Sequence, residues 1–266
     1  MTRLRFARIL LALGVAFFPA CRGGRSQTDL TLAGSTSIQP FADKWAEVFM
    51  KKHPGFGVNV QGGGSSTGIQ ACKSGACQIG MSSRELKGDE KDLVEIVVAR
   101  DGLAVIVHPS NPVRGAKLAE VKQIFSGDLS RWNYLGGPDR PITVVAREEG
   151  SGTRGAFQEL VMGKTRIFRG AITEDSNGTV REIVAQDPYA VGFISLGLVN
   201  EQVRSLDLDG AAANEENIRN GRYKLVRPFL FVSLGQPTGL AKEFVDFVLS
   251  AEGQALVKRE GLLTIK

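Results

Sequence analysis

Histidine is nearly absent: two in 266 residues, His53 and His108, both in the N-terminal half. A secreted serine hydrolase built on a G-x-S-x-G elbow needs a histidine late in the chain, after an acid. Gly64-Ser65-Ser66-Thr67-Gly68 fits that pattern but lacks the partner, so the hydrolase stands only as the weaker alternative. Cysteine is scarce too, with three residues, and no histidine lies near Cys72 or Cys77, which argues against a metal site there. Residues 1–28 contain no acid, while Arg3, Arg5, Arg8, Arg22 and Arg25 all fall there and account for the whole net charge of +5. From Asp29 onward the chain is near neutral, and no basic stripe with interleaved aromatics remains for nucleic acid. Solenoid-period repeats and low-complexity tracts are missing as well.

What is present is ordinary globular composition, 42% hydrophobic and 23% charged, long enough for two cores or one large one. Its first segment reads as an export signal. Arg3, Arg5 and Arg8 precede an apolar run from Ile9 to Phe18, which at about ten residues is too short for a permanent membrane helix. Phe18-Pro19-Ala20-Cys21 resembles the lipobox of bacterial lipoproteins, although Phe and Pro depart from the usual residues. Residues 1–20 are therefore expected to be removed, with Cys21 lipidated, or else the chain is released free into the periplasm. Residues 21–28 form a polar tether. In an oxidising compartment Cys72 and Cys77 are expected to form a small loop disulfide, the alternative being two buried small hydrophobes.

Along the remainder, strands and helices alternate, which predicts α/β lobes. Leu30 to Ala33 leads through Gly34-Ser35-Thr36-Ser37 into a helix over Gln39 to Lys52, with Phe41, Trp45, Val48 and Phe49 at helical spacing and Pro40 in the first turn. Val58 to Gln61 repeats the pattern through residues 62–68, and Gln78 to Arg84 gives a third edge. Leu93 to Ala99 and Gly102 to His108 read as two apolar runs separated by Arg100-Asp101. The Pro-rich break at 108–112 reads as the first crossing between lobes, and Leu225 to Leu234 as the return. Lobe 1 is thus 29–108 plus 225–266, and lobe 2 is 109–224. Helices are expected at Leu118 to Phe125, Arg181 to Ala185, Glu215 to Asn220, Leu240 to Leu249 and Gly253 to Val257. Asn177-Gly178-Thr179 reads as an ordinary turn.

Residues 142–157 organise the rest. Ile142 to Val145 is a β-branched strand, Phe157, Leu160 and Val161 open a helix, and a Gly/Ser/Thr turn joins them. Such a turn points backbone N–H groups and the positive end of a helix at whatever lies above it, which suits an anion. Arg147 supplies a full positive charge, with Glu149 expected to hold its guanidinium and Glu148 to be solvated. If the turns at 34–37, 65–67 and 150–153 converge, they form a cage of donors around Arg147 for a small desolvated oxyanion. Gly150 to Gly155 also fits G-x-G-x-x-G, but no strand leading to Glu174 or Asp175 is evident, so a dinucleotide fold lacks support.

Seven motifs carry a family resemblance, in order over most of residues 30–265. They are Ala33-Gly34-Ser35-Thr36-Ser37-Ile38-Gln39-Pro40, Gly63 to Gly68, Ile79-Gly80-Met81-Ser82-Ser83-Arg84, Asp101-Gly102-Leu103-Ala104-Val105, Ile124 to Gly127, Arg147 to Arg154, and Gly192-Phe193-Ile194-Ser195-Leu196-Gly197. Together they resemble the short branch of the periplasmic phosphate-binding proteins of bacterial phosphate ABC transporters. The resemblance implies a two-lobed type II binding fold of α/β class, with no catalysis and no cofactor. It implies a monomer that carries inorganic phosphate to permease subunits in the inner membrane. It also implies ligand contacts from Thr36, Ser37, Ser65, Arg147, Ser151, Gly152 and Thr153. Where longer members place an Asp that accepts the phosphate proton, this chain has Ser83. Asp101 is expected to replace that carboxylate, the alternative being that it caps a turn, and sulfate or molybdate stand as other ligands.

Overall fold

The computed structural model describes residues 29–265, so the expected signal peptide, the tether and Cys21 lie outside the described residues. Two βα steps and a third strand build the first lobe. Strand β1 (Asp29–Gly34) is followed by helix α1 (Gln39–Lys52), β2 (Gly57–Gln61) by α2 (Ser65–Lys73), and then comes β3 (Ile79–Ser82). Both β2 and β3 pair in parallel with β1. On α1, Phe41, Trp45 and Phe49 face inward as their spacing predicts, meeting Phe229, Phe231 and Phe244.

Arg100-Asp101 does not interrupt the next element. Strand β4 (Val94–Val107) runs 14 residues without a break. Its first half pairs antiparallel with β11 (Val226–Ser233), and its second half pairs antiparallel with β8 (Ala190–Ser195). The lobes therefore share one sheet through β4. Val98 and Ala99 pack with Trp45 and Phe231, whereas Leu103, Val105 and Val107 pack with Phe125, Phe157 and Phe193. This moves the first crossing to residues 100–103, earlier than the expected break at 108–112. The proline-rich turn only ends the strand, because the backbone at Asp101 is already satisfied within the ladder. The return crossing falls at Leu225 to Arg227, where Leu103 N–H donates to Leu225 O at 2.8 Å.

The second lobe contains β5 (Gly115–Ala116), α3 (Leu118–Ser126), β6 (Thr143–Arg147), α4 (Gly152–Phe157), β7 (Ile172–Glu174) and α5 (Asn177–Gln186). After β8 come β9 (Arg204–Ser205), β10 (Asp207–Leu208) and α6 (Glu215–Arg219). Trp132 is fully buried and donates its indole N–H to Tyr189 O at 2.9 Å, anchoring its loop. Helices α7 (Gly239–Leu249) and α8 (Ala251–Arg259) return to lobe 1, where Trp45 donates to Gly253 O. The long sheet runs β2-β1-β3-β11-β4-β8-β6-β7.

Cys72 and Cys77 are free thiols, which overturns the expected disulfide. Both are buried beside Ile69, Leu230 and Val232. Cys72 Sγ donates to Val232 O at 3.4 Å. The Cys77 hydrogen bond pulls the Cys72 thiol down to about 7, and the same bond and burial push Cys77 up. They behave as the small buried residues of the alternative reading.

Candidate functional site

Three turns meet where the lobes face one another, and close backbone approach places them. Helix α2 starts at Gly64, whose φ of 90° disfavours a side chain. It lies so near β1 that a Cβ on Gly68 would stand 2.3 Å from Ala33 O. That contact sets Ser65, in the first turn of α2, against the end of β1. Opposite, Ser151 caps α4 by accepting from Arg154 N–H at 3.2 Å, and α4 continues through a π turn at Gln158–Met162. Phe157 at its far end stacks on Phe193 at 4.1 Å, fixing the helix over β8. A Cβ on Gly152 would lie 2.1 Å from Ser65 Oγ and 2.6 Å from Ser83 Oγ, so the first turn of α4 sits directly on those two hydroxyls.

The lobes are joined across this junction. Ser37 Oγ and Thr153 Oγ1 are 2.7 Å apart, and Ser66 N–H donates to Gly150 O at 3.1 Å. Asn177 Nδ2 donates to Ser37 Oγ at 2.9 Å and to Thr36 Oγ1 at 3.2 Å. Asn177 is therefore a site residue where the sequence suggested only a turn. It carries no sequence signal because it opens α5 three residues before the apolar period begins at Val180.

Arg147 is 1% exposed at the end of β6. Its Nε donates to Glu148 Oε2 and Glu174 O at 3.0 and 3.1 Å, and its Nη2 to Glu148 Oε1 and Asp175 O at 3.1 and 2.7 Å. Nη1 is buried and has no partner among the described residues. The fork is held by Glu148, not by Glu149, because the chain turns back after β6 and leaves Glu149 92% exposed, 3.8 Å from Arg154. Strand β7, not evident in the sequence, brings the Glu174 and Asp175 carbonyls to Arg147 by pairing with β6. Burial pushes the Arg147 guanidinium below its ordinary value, opposed by Glu148, Asp175 and Glu174.

A second guanidinium lies in the same cluster. Arg227, 2% exposed on β11, donates Nε and Nη2 to Asp101 Oδ2 at 2.9 and 2.8 Å. It also reaches Ser37 Oγ at 3.1 Å through Nη2 and Ser83 O at 3.3 Å through Nη1. Burial lowers its pKa, and the charge of Arg147 lowers it further. Asp101 is fully buried and its other oxygen accepts from Ser195 Oγ at 2.9 Å. Asp101 neither caps a turn nor faces the cluster as a free acceptor; Arg227 stands between. An Arg two places into an apolar strand gives no sequence signal of its own, which is why Arg227 escaped the sequence reading.

The two histidines are engaged away from these residues. His53 stacks on Phe49, and His108 pairs with Ser110.

A buried, donor-rich junction between two lobes that share crossing strands defines a ligand-binding protein of the periplasmic-binding type, and the comparisons place it so. Residues 22–252 match the PBP superfamily domain. The chain is 36% identical over 247 residues to the phosphate-binding protein PstS of Bacillus subtilis, spanning 91% of this chain and 82% of that one. A crystal structure with bound phosphate, described as a phosphate ABC transporter substrate-binding protein from Clostridium perfringens, superposes with a TM-score of 0.87 at 40% identity, covering 90% and 100% of the two chains. An ABC-type phosphate transport receptor from Vibrio cholerae gives 0.74 at 34% identity, covering 89% and 99%. This chain belongs to the PBP superfamily and, within it, to the PstS phosphate-binding proteins.

Proposed function

We propose that the protein captures inorganic phosphate outside the cytoplasmic membrane and hands it to an ABC permease, acting as a monomeric carrier and not as a catalyst. One observation carries this reading: Arg147 Nη1 is buried and unpaired among the described residues, at the end of β6, the strand that leads into α4. An orphaned charged donor in a dry site costs stability, and a bound anion removes that cost. Gly152 and Thr153 open α4 and have no intrahelical acceptor for their N–H groups, while the hydroxyls of Thr36, Ser37, Ser65, Ser83, Ser151 and Thr153 cluster around them. Each hydrogen bond to the charged ligand contributes about 1.5–3 kcal/mol, enough in sum to offset much of its dehydration.

Contacts come from both lobes at once, so the ligand favours the closed arrangement over an open one. The crossings at residues 100–103 and 225–227 are the hinge. Anchoring through Cys21 after removal of residues 1–20 would keep the carrier at the membrane surface.

Equilibrium dialysis against radiolabelled phosphate tests the reading. The native protein should hold one ion per chain, and Arg147→Ala should weaken binding by at least about a hundredfold. Equal retention by both would refute it.

A further inference from the structure

Along α4, outside the hydroxyl cluster, lies a groove of about 660 Å³ with a basic lining. Lys87, Arg154, Arg166 and Arg169 face it together with a single carboxylate, Glu149. Glu149 reaches only Arg154, at 3.8 Å, and Arg154 is otherwise engaged through Nη1, which donates to Arg147 O at 2.6 Å. Lys87, Arg166 and Arg169 have no ion-pair partner among the described residues. Gathered in one concavity with one acid, they make a positive field that salt screens only in part.

The segment carrying two of these cations is fixed in place. Gln158 Nε2 donates to Gly163 O at 2.8 Å and to Thr165 O at 2.7 Å, Phe168 N–H donates to Phe125 O at 2.9 Å, and Ile167 is buried in the second-lobe core. Arg166 and Arg169 therefore stand on either side of an anchored residue, which spares a ligand part of the cost of ordering them. Phe168 lines the same groove and is 38% exposed. Its ring is pressed against Gly170, where a Cβ would lie 2.3 Å from Cε2.

The walls belong to different lobes. Lys87 follows β3 in lobe 1, whereas the three arginines belong to lobe 2. At Gly155, which also lines the groove, a Cβ would stand 2.7 Å from Arg84 Cδ of lobe 1. The groove is thus complete only while the lobes meet.

Its volume falls in the range of small-molecule sites, about 300–1,000 Å³, and exceeds what one tetrahedral ion needs. Guanidinium forks match phosphoryl oxygens in pairs, and several cations spread along a groove suit charges spread along a chain. We propose that this groove is a second anion site, for a chain of two or more phosphoryl groups, and that such a chain, by bridging the lobes, raises the affinity of the cleft for phosphate. The coupling rests on the reading of the cleft cluster as the phosphate site; the groove itself does not. Because both anions favour the closed arrangement, each tightens the other by the same factor.

Calorimetry of tripolyphosphate into the native protein, saturated beforehand with inorganic phosphate at about 0.15 M salt, provides the test. One tripolyphosphate should be held per protein chain. The exposed pair Arg166→Ala/Arg169→Ala should weaken it by at least about tenfold and leave phosphate binding without tripolyphosphate unchanged. Lys258→Ala/Arg259→Ala, which removes equal charge from exposed positions on α8, should alter neither. Phosphate affinity should rise by about fivefold or more when tripolyphosphate is present. Adenosine triphosphate in its place separates the two sources of such a chain: tighter binding adds stacking of the base on Phe168, and equal binding leaves the chain alone as the ligand. Equal losses in the two double variants would reduce the effect to net charge and overturn the proposal, as would tripolyphosphate competing with phosphate for one site. Tripolyphosphate bound with phosphate affinity unchanged overturns the bridging of the lobes. Groove binding in a protein that holds no phosphate would keep the second site and overturn the cleft reading instead.

Discussion

Arg147 brings three nitrogens into the protein, and the fold satisfies two of them. Four acceptors around Nε and Nη2 immobilise the plane of the guanidinium, so Nη1 is preset before any ligand arrives. Gly152 is the matching requirement on backbone. The missing Cβ lets α4 touch Ser65 and Ser83 across the cleft, and a methyl there would meet oxygens at 2.1 and 2.6 Å. Gly152→Ala should hold the lobes apart: phosphate affinity falls by at least about tenfold, while the thermal midpoint of the ligand-free protein changes little. Parallel dialysis and melting curves check this, and an unchanged affinity would show that α4 need not approach so closely. The sequence announced Arg147, Ser151, Gly152 and Thr153 because strand, turn and helix are contiguous there. Which glutamate holds the guanidinium was not legible, since adjacent residues after a strand differ only in how the chain turns.

At the scale of elements, α2 is tied to the segment that follows β3. Arg84 donates Nη1 and Nη2 to the two oxygens of Glu90 at 2.7 and 2.8 Å and reaches Ser66 on α2 at 3.3 Å. The Arg84 hydrogen bond holds the Glu90 carboxyl below its ordinary value. A lowered folded value means stability that is present above the unfolded pKa, about 4.3, and is lost as pH falls through the folded one. Urea midpoints of the native protein should therefore exceed those of Glu90→Gln at about pH 6, and the gap should narrow toward about pH 3. A constant gap would mean that the pair contributes through packing alone. Most elements were legible because their periods are strong, as in α1 with its inward Phe41, Trp45 and Phe49. The exception is β4. Arg100 and Asp101 interrupt the apolar pattern, yet Asp101 is buried because Arg227 faces it from β11, a pairing between residues far apart in sequence.

The two largest cores lie on one long sheet, joined by β4 and β11, with the Asp101–Arg227 pair at the crossing. Arg227 touches Ser37 and Ser83 of lobe 1, and Asp101 touches Ser195 of lobe 2, so the pair sits where any opening must pivot. Interlobe contacts are few and polar: Ser37 with Thr153, Ser66 with Gly150, and Asn177 with Thr36 and Ser37. An anion bound by residues of both lobes adds contacts that exist only when the lobes meet, and so favours closure. Small-angle scattering should accordingly show a smaller radius of gyration with phosphate than without it, and equal radii would argue for a rigid receptor.

The most direct test is a crystal structure of the phosphate-soaked protein. The account predicts tetrahedral density between the lobes within hydrogen-bond distance of Arg147 Nη1 and of the first turn of α4. Phosphate bound elsewhere, or a closed structure in which Nη1 still has no anionic partner, would contradict it.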